Sequence, residues 1–257
     1  MTVELVAQTH GEGPDLVILH GLFGSGRNWT THAKHLAASW RVHLLDLRNH
    51  GGSPWHDEVN YPAMAADVAA YLDREGLERP TVVGHSMGGK TAMALALDQG
   101  ARIERLVVVD IAPVPYGHSH AGFIDAMLAL DLPALGKRSA VDAALAGEIP
   151  EAGVRAFLLQ NLTQRDGALA WRLNLRALQE AMPALVGFEV PVRDAYEGPT
   201  FFLAGADSDY VLPAHEGQIR GLFPEAEISH IPAAGHWVHA EQPAEFMARL
   251  TAFLESG

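Results

Sequence analysis

The sequence of 257 residues contains no cysteine. This absence excludes disulfide bonds, thiol nucleophiles and zinc sites built on thiolates. Basic residues are also scarce, since 18 Lys and Arg stand against 31 Asp and Glu for a formal net charge of −13. Binding to nucleic acid needs an electropositive surface, and no long basic run occurs. We therefore expect no nucleic-acid partner.

Long apolar runs are absent as well. No stretch approaches the roughly 18 to 20 consecutive apolar residues that a membrane-spanning helix requires, so we expect no membrane span. The segment from Met1 to Leu5 lacks the basic and then apolar pattern of a signal peptide, which favours a cytoplasmic protein. Hydrophobic residues make up 48% of the chain, enough to bury a sizeable core.

Strand patterns alternate with helical patterns in the first part of the chain. Short apolar runs predict buried strands, with helical spacing between most of them: Leu16–Leu19, Arg41–Leu47, Thr81–Val83 and Arg105–Val109. An earlier strand is expected between Val3 and the turn at Gly11. The alternation resumes at Thr200 and continues to a final helix near Pro243. This order predicts an α/β fold with a parallel sheet that is covered by helices on both faces.

Residues 113–196 show helical periodicity only, with proline and glycine interruptions. The β/α pattern returns after this segment, so the segment interrupts one sheet and does not precede a second one. We therefore predict a core formed by residues 1–112 and 197–257, and a helical cap formed by residues 113–196.

The segment Gly84-His-Ser-Met-Gly88 is a G-x-S-x-G motif between a predicted strand and a predicted helix. A serine there stands on a sharp turn that lifts its hydroxyl clear of the sheet, and the flanking glycines prevent side-chain collisions. This pattern makes Ser86 a candidate nucleophile.

The same segment also fits a phosphate-binding loop. Residues Gly84 to Thr91 match G-x-x-x-x-G-K-T, and the apolar strand that ends at Asp110 is typical of a magnesium-binding aspartate. On these two segments alone, a P-loop nucleotide hydrolase is about as well supported as a serine hydrolase.

Distant motifs favour the hydrolase. His20-Gly-Leu-Phe-Gly24 follows an apolar strand and can supply the second backbone N–H of an oxyanion hole. We predict that this hole comprises the N–H groups of Met87 and Leu22, with Phe23 as the alternative to Leu22. His236 lies after the last predicted strand, where it can act as the base, and no cofactor is required.

With these motifs the chain resembles the α/β-hydrolase superfamily and, within it, the YbfF-type esterases. The matching segments are His20–Ser25, Asp46–Gly51, Gly84–Thr91, Val109–Pro113 and Gly235–His239. The resemblance implies an α/β-hydrolase fold, with a mostly parallel sheet flanked by helices and the cap inserted after the sixth strand. It also implies a carboxylesterase or thioesterase that acts on a small-molecule ester or thioester of small to medium acyl chain length. Gly52 departs from the pattern, which has arginine there.

The acid of the catalytic triad has three candidates. Asp110 ends the strand that follows the nucleophile helix, whereas Asp207 and Asp209 follow a later strand. Most of the superfamily places the acid three residues beyond a glycine, and counting from Gly205 that position is Ser208. The resemblance to the YbfF-type esterases favours Asp110, with Ser208 as an auxiliary partner.

One further interpretation of the fold stays open at this point. A lyase, a haloperoxidase or a non-catalytic protein can use the same fold with an intact triad. The 14 histidines raise the question of a metal site. Their close pairs, His118 with His120 and His236 with His239, lack an accompanying carboxylate cluster, so we predict no metal.

Overall fold

A computed structural model describes residues 1–256. That part of the chain forms nine strands: β1 (Ala7–His10), β2 (Asp15–Leu19), β3 (Arg41–Leu45), β4 (Thr81–His85), β5 (Arg105–Val109), β6 (Leu162–Arg165), β7 (Ala168–Trp171), β8 (Thr200–Gly205) and β9 (Ala226–Ile231). The same residues form twelve α-helices: α1 (Thr30–Leu36), α2 (Tyr61–Glu75), α3 (Met87–Gln99), α4 (Ala121–Leu128), α5 (Leu132–Leu135), α6 (Arg138–Leu145), α7 (Ala152–Leu158), α8 (Leu175–Glu180), α9 (Met182–Val186), α10 (Glu216–Leu222), α11 (Val238–Glu241) and α12 (Pro243–Glu255).

Seven strands form one sheet in the order β1-β3-β2-β4-β5-β8-β9. Strand β1 runs antiparallel to β3, and the other pairs in this sheet are parallel. The predicted α/β fold with a mostly parallel sheet is therefore confirmed. Because parallel strands end at the same edge, the loops that follow β2, β4, β5, β8 and β9 meet there.

Alternate side chains of the central strands pack against helices on opposite faces. In β2, Leu16 and Ile18 join the apolar cluster that includes residues of α1 and α12. Val17 and Leu19 join the larger cluster, which includes residues of α2, α3 and the segment between β5 and β8. Burial on both faces explains why these strands are continuous apolar runs in the sequence.

The segment between β5 and β8 contains a two-stranded antiparallel hairpin, β6 with β7, as well as helices. The prediction of helices alone was wrong there. Asp166 and Gly167 form its turn with φ angles of +53° and +80°, and Asp-Gly is a favoured sequence for such a turn. The hairpin's short strands carry too few residues to show a clear period of two.

The insertion follows the fifth strand of the sheet and not the sixth. Residues Val3 to Val6 add no strand of their own. The Val6 carbonyl accepts from Asp46 N–H at the sheet edge, but the Val6 N–H donates to the Ser53 hydroxyl and not to a neighbouring strand. The division into a core and a cap at residues 113 and 196 stays a prediction. No helix among the described residues combines the length and apolar character needed to cross a membrane.

Candidate active site

Ser86 stands on the sharp turn between β4 and α3. Its backbone has φ +52° and ψ −117°, an uncommon conformation for a residue with a side chain. A Cβ on Gly84 would lie 2.2 Å from the Gly88 carbonyl oxygen, and one on Gly88 would lie 2.4 Å from the Leu19 oxygen. Both glycines are therefore required for the chain to turn this tightly. The turn places the Ser86 hydroxyl at the edge where the parallel strands end.

The side chains of Ser86, His236 and Asp110 form one line of hydrogen bonds. His236 Nδ1 lies 2.7 Å from Asp110 Oδ2, and His236 Nε2 lies 3.0 Å from Ser86 Oγ. Since a carboxylate can only accept, Nδ1 carries the proton and Nε2 is free to accept from the serine hydroxyl. The structure thus brings together the three residues predicted from the sequence.

Asp110 is fully buried and follows β5 directly. Its Oδ1 accepts a 2.8 Å hydrogen bond from Gly205 N–H, and its Oδ2 accepts a 2.5 Å bond from Ser208 Oγ as well as the bond from His236. Three donors converge on this group, which suits an ionised carboxylate.

The two alternative acids, Asp207 and Asp209, have exposed side chains, and neither forms a hydrogen bond or ion pair with the imidazole of His236. Among residues 1–256, the carboxylate that meets this ring is that of Asp110. Ser208 is the residue of this loop that reaches the acid. The geometry therefore agrees with Asp110 as the acid and Ser208 as its auxiliary partner.

The loop that carries His236 is held from both sides. The Glu241 carboxylate accepts hydrogen bonds from Gly235 N–H at 2.6 Å and from Trp237 N–H at 3.2 Å. The Tyr210 ring stacks on the imidazole with a centroid distance of 4.1 Å. His236 thus has restricted freedom to turn away from Ser86. Neither Tyr210 nor Glu241 belongs to a recognisable motif, so their roles could not be predicted from the sequence.

His85 precedes the candidate nucleophile and forms part of the site wall. Its Nε2 donates a 2.9 Å hydrogen bond to the His236 carbonyl oxygen, and burial holds the pKa of its imidazole well below the ordinary value. The neutral His85 ring therefore holds the Ser86 turn and the His236 loop in position relative to each other.

The predicted oxyanion donors lie where two chain segments meet. Leu22 follows β2, Met87 begins α3, and both line a cavity together with Ser86. Within residues 1–256, neither N–H group donates to a protein acceptor. The N–H of the alternative donor, Phe23, already donates to His50 Nε2 at 3.3 Å, which favours Leu22.

His20 and His50 support the loop that carries Leu22. His20 Nε2 accepts from Leu47 N–H at 3.0 Å, and its Nδ1 donates to the Gly21 carbonyl at 2.8 Å. His50 Nδ1 donates to the Arg48 carbonyl at 2.9 Å. Burial lowers the pKa of His20 to about 4 and that of His50 to about 3. Both rings are therefore neutral, and their Nε2 atoms can accept from backbone N–H groups.

The segment from Asp46 to Gly52, whose role the sequence left open, supports the same loop. The Asp46 carboxylate accepts from Gly26 N–H and from Gly52 N–H, each at 2.8 Å. Arg48 is fully buried and donates to both carboxylate oxygens of Asp67, at 2.6 and 2.8 Å. A buried bidentate ion pair fixes the position of this segment beneath the Leu22 loop.

The P-loop interpretation of Gly84 to Thr91 was wrong. Lys90 Nζ donates to the carbonyl oxygens of Val114, Val186 and Gly187, at 2.9, 3.0 and 2.6 Å. The Thr91 hydroxyl donates to the Met87 carbonyl at 2.9 Å, and Asp110 is committed to His236. The groups that would hold a phosphate and its magnesium are thus bound to the protein itself. The described residues also contain no group of three or more potential metal ligands.

Two cavities reach Ser86. The larger, of about 220 Å³, is lined by the His20–Gly24 loop, by Ser86, His236 and Trp237, and by apolar side chains of α4 and α7. The smaller, of about 40 Å³, is lined by Leu22 and Met87 and by side chains that include Ile111, Met182 and Leu185. The larger cavity is a mostly apolar cleft beside a reactive hydroxyl, which suits a small, mostly apolar molecule.

Known proteins similar to this chain have the same fold. A family model described as alpha/beta hydrolase fold matches residues 14–243. The sn-1-specific diacylglycerol lipase ABHD11 of Mus musculus is 46% identical over 94% of this chain and 81% of its own length. Esterase YbfF of Escherichia coli is 37% identical over 99% of each chain. A solved structure described as a marine microorganism esterase is 35% identical, with a TM-score of 0.96 over 98% of this chain and all of the other.

Proposed function

This chain belongs to the α/β-hydrolase family and is an ester hydrolase, and from that premise we propose that it cleaves carboxylic esters through an acyl-enzyme on Ser86. The observation that carries the proposal is the line of hydrogen bonds from Ser86 Oγ through His236 to Asp110, at 3.0 and 2.7 Å. This arrangement supplies a nucleophile, a base and an acid that orients the base.

In the first step, Ser86 Oγ attacks the ester carbonyl carbon and its proton passes to His236 Nε2. The Asp110 carboxylate stabilises the imidazolium that forms. The carbonyl oxygen becomes an oxyanion that accepts from the N–H groups of Leu22 and Met87. Among the described residues no protein acceptor pairs with these two donors, which supports this role.

In the second step, the tetrahedral intermediate collapses and its bond to the alcohol oxygen breaks. His236 Nε2 returns the proton to that oxygen, and the alcohol leaves the acyl group on Ser86. A water molecule then gives its proton to the same nitrogen and attacks the acyl carbon. The carboxylic acid leaves, and the proton returns to Ser86 Oγ.

Acyl thioesters meet the same geometric requirements. The thiol leaving group would stand where the alcohol stands, and the two N–H donors would hold the same oxyanion. Esters and thioesters with matched acyl groups distinguish the two substrate classes by their kcat/KM values.

Labelling with a fluorophosphonate probe tests the proposal, because the probe reacts with an activated serine hydroxyl. We expect the wild type to be labelled and to hydrolyse p-nitrophenyl acetate, and we expect Ser86→Ala to do neither. Ser39 has an exposed hydroxyl far along the chain from the site, so Ser39→Ala is a matched control that should keep both properties. Undiminished labelling of Ser86→Ala would contradict the proposal.

A further inference from the structure

The direction of each group on the tetrahedral carbon follows from the surroundings of Ser86. The oxyanion must lie at the N–H groups of Leu22 and Met87. The leaving oxygen must lie within hydrogen-bond reach of His236 Nε2, because this nitrogen returns the proton. The acyl chain takes the direction that remains. The position of His236 therefore decides which cavity holds which half of the ester.

The two cavities differ in their contact with that histidine. His236 and its neighbour Trp237 line the larger cavity of about 220 Å³. In the described part of the chain, neither residue lines the smaller cavity of about 40 Å³, whose wall includes the oxyanion donors Leu22 and Met87. An alcohol that leaves beside His236 thus enters the larger cavity.

Resting on the function proposed above, we propose that the larger cavity binds the alcohol portion of the ester and the smaller cavity binds the acyl portion. The substrate class is then esters of short carboxylic acids, such as acetate or propionate, with bulky apolar alcohols. The smaller cavity restricts the length of the acyl chain, whereas the larger cavity accepts long alkyl chains on the alcohol.

The walls of the smaller cavity are tied together by buried hydrogen bonds. Lys90 Nζ donates to the Val186 carbonyl at 3.0 Å, and the Tyr61 hydroxyl donates to the Leu185 carbonyl at 2.5 Å. Both bonds join the base of the site to helix α9. A shift of α9 away from the site would break them, and a broken bond would leave polar groups buried without partners. The α9 side of this cavity is therefore held in place, and its volume of about 40 Å³ limits the acyl group.

The larger cavity is apolar and adjoins solvent. Phe123 and Leu158 contribute to its wall, and Trp237 at its rim is 36% exposed. An alkyl chain attached to the leaving oxygen can bury its first carbons here and extend past the rim. Burial of each additional methylene group favours binding, which explains the expected preference for longer alcohols.

A pair of isomeric esters tests this assignment with the unmodified protein. Hexyl acetate and ethyl hexanoate have the same atoms and nearly the same hydrophobicity, but the long chain is on opposite sides of the ester. We expect kcat/KM to be at least about tenfold higher for hexyl acetate, since a chain that does not fit its pocket loses this much or more. Equal values, or a preference for ethyl hexanoate, would overturn the proposal.

Two variants, one for each cavity, locate the effect. Met182→Ala removes bulk from the smaller cavity and should raise kcat/KM for ethyl hexanoate several-fold. Phe157→Ala removes a wall of the larger cavity and should lower kcat/KM for hexyl acetate more than for ethyl hexanoate. A gain on hexyl acetate in Met182→Ala would overturn the assignment. If a variant does not fold, the isomer ratio of the wild type decides alone.

Fluorophosphonate labelling separates a failure of this assignment from a failure of the proposed function. A wild type that is labelled at Ser86 but prefers ethyl hexanoate would keep the serine mechanism and lose the assignment of the cavities. A wild type that is not labelled and hydrolyses neither isomer would lose both.

Discussion

Ser208 Oγ donates a 2.5 Å hydrogen bond to Asp110 Oδ2, the same oxygen that accepts the 2.7 Å bond from His236 Nδ1. The loop after β8 thus contributes a hydroxyl where a triad acid would stand, and the residue directly after β5 contributes the carboxylate. Gly205 N–H, at the end of β8, holds the other carboxylate oxygen at 2.8 Å. The acid is therefore supplied by one strand and positioned by its neighbour.

Replacement of the acid tests which carboxylate serves His236. Asp110→Asn keeps the size of the side chain but removes its charge. The variant therefore no longer favours the tautomer of His236 that carries its proton on Nδ1. We expect kcat to fall by about 10⁴-fold, measured with p-nitrophenyl acetate, with little change in the unfolding midpoint. Asp207→Asn is the matched control and should keep nearly full activity, because that side chain is exposed. The opposite pattern would assign the acid to the later strand.

Removal of the auxiliary hydroxyl should have a smaller effect. Ser208→Ala takes one donor from a carboxylate that keeps two others, so we expect kcat to fall by about three- to tenfold, in line with roughly 1 kcal/mol for one hydrogen bond. A double variant, Asp110→Asn with Ser208→Asp, places a carboxylate in the loop after β8, beside the same atoms. This variant should be more active than Asp110→Asn alone. No recovery would show that a carboxylate at position 208 cannot reach His236.

The sequence predicted Ser86, Asp110 and His236 because each follows an apolar strand whose end is recognisable. The end of a parallel strand also fixes which edge of the sheet a residue occupies, so these side chains could be expected to meet. The assignment of Asp110 over Asp207 depended on the resemblance, since both follow strands that end at this edge.

Other features depend on contacts that local patterns do not contain. The acceptors of Lys90, Val186 and Gly187, lie 96 and 97 residues further along the chain, so the local G-x-x-x-x-G-K-T pattern does not show them. Phe23 looked like a free donor because its partner His50 is 27 residues away. The turn at Asp166 and Gly167 was a usable signal for the hairpin that was missed.

Buried histidines should make the stability of the fold depend on pH. Burial lowers the pKa of His20 and His120 to about 4, and that of His50 and His239 to about 3, from 6.5. At a pH between the lowered values and 6.5, these histidines bind protons in the unfolded chain but not in the folded chain. The free energy of unfolding should therefore fall as the pH falls below about 6.5, by up to about 1.4 kcal/mol per pH unit for each such histidine.

Urea denaturation at pH 5, 6, 7 and 8 measures this dependence. The contribution of these histidines to the unfolding free energy should be nearly constant from pH 8 to 7. It should then fall steeply as the pH is lowered to 5. In His50→Asn the unfolding free energy should change less steeply with pH, because the unfolded chain has one fewer histidine to protonate. His35→Asn is a control at an exposed histidine and should keep the wild-type slope. A flat profile from pH 7 to 5 would contradict the neutral state of these rings.

An alcohol should compete with water for the acyl-enzyme. By microscopic reversibility, the cavity that releases the alcohol beside His236 also binds one for the reverse attack on the acyl carbon. With p-nitrophenyl acetate as donor, added hexanol should therefore give hexyl acetate, and at equal concentration it should give more ester than ethanol does. Gas chromatography measures the two products. Equal yields from hexanol and ethanol would argue against an apolar alcohol cavity.

The central claim is that hydrolysis passes through an acyl group on the Ser86 oxygen. Wild-type protein mixed with p-nitrophenyl acetate, quenched in acid within the first turnover and digested, can be examined by peptide mass spectrometry. We predict a peptide that contains Ser86 and is heavier by one acetyl group, and we predict that it disappears as the substrate is exhausted. Steady turnover with no acetylated Ser86 peptide, or with the acetyl group on another residue, would contradict the mechanism.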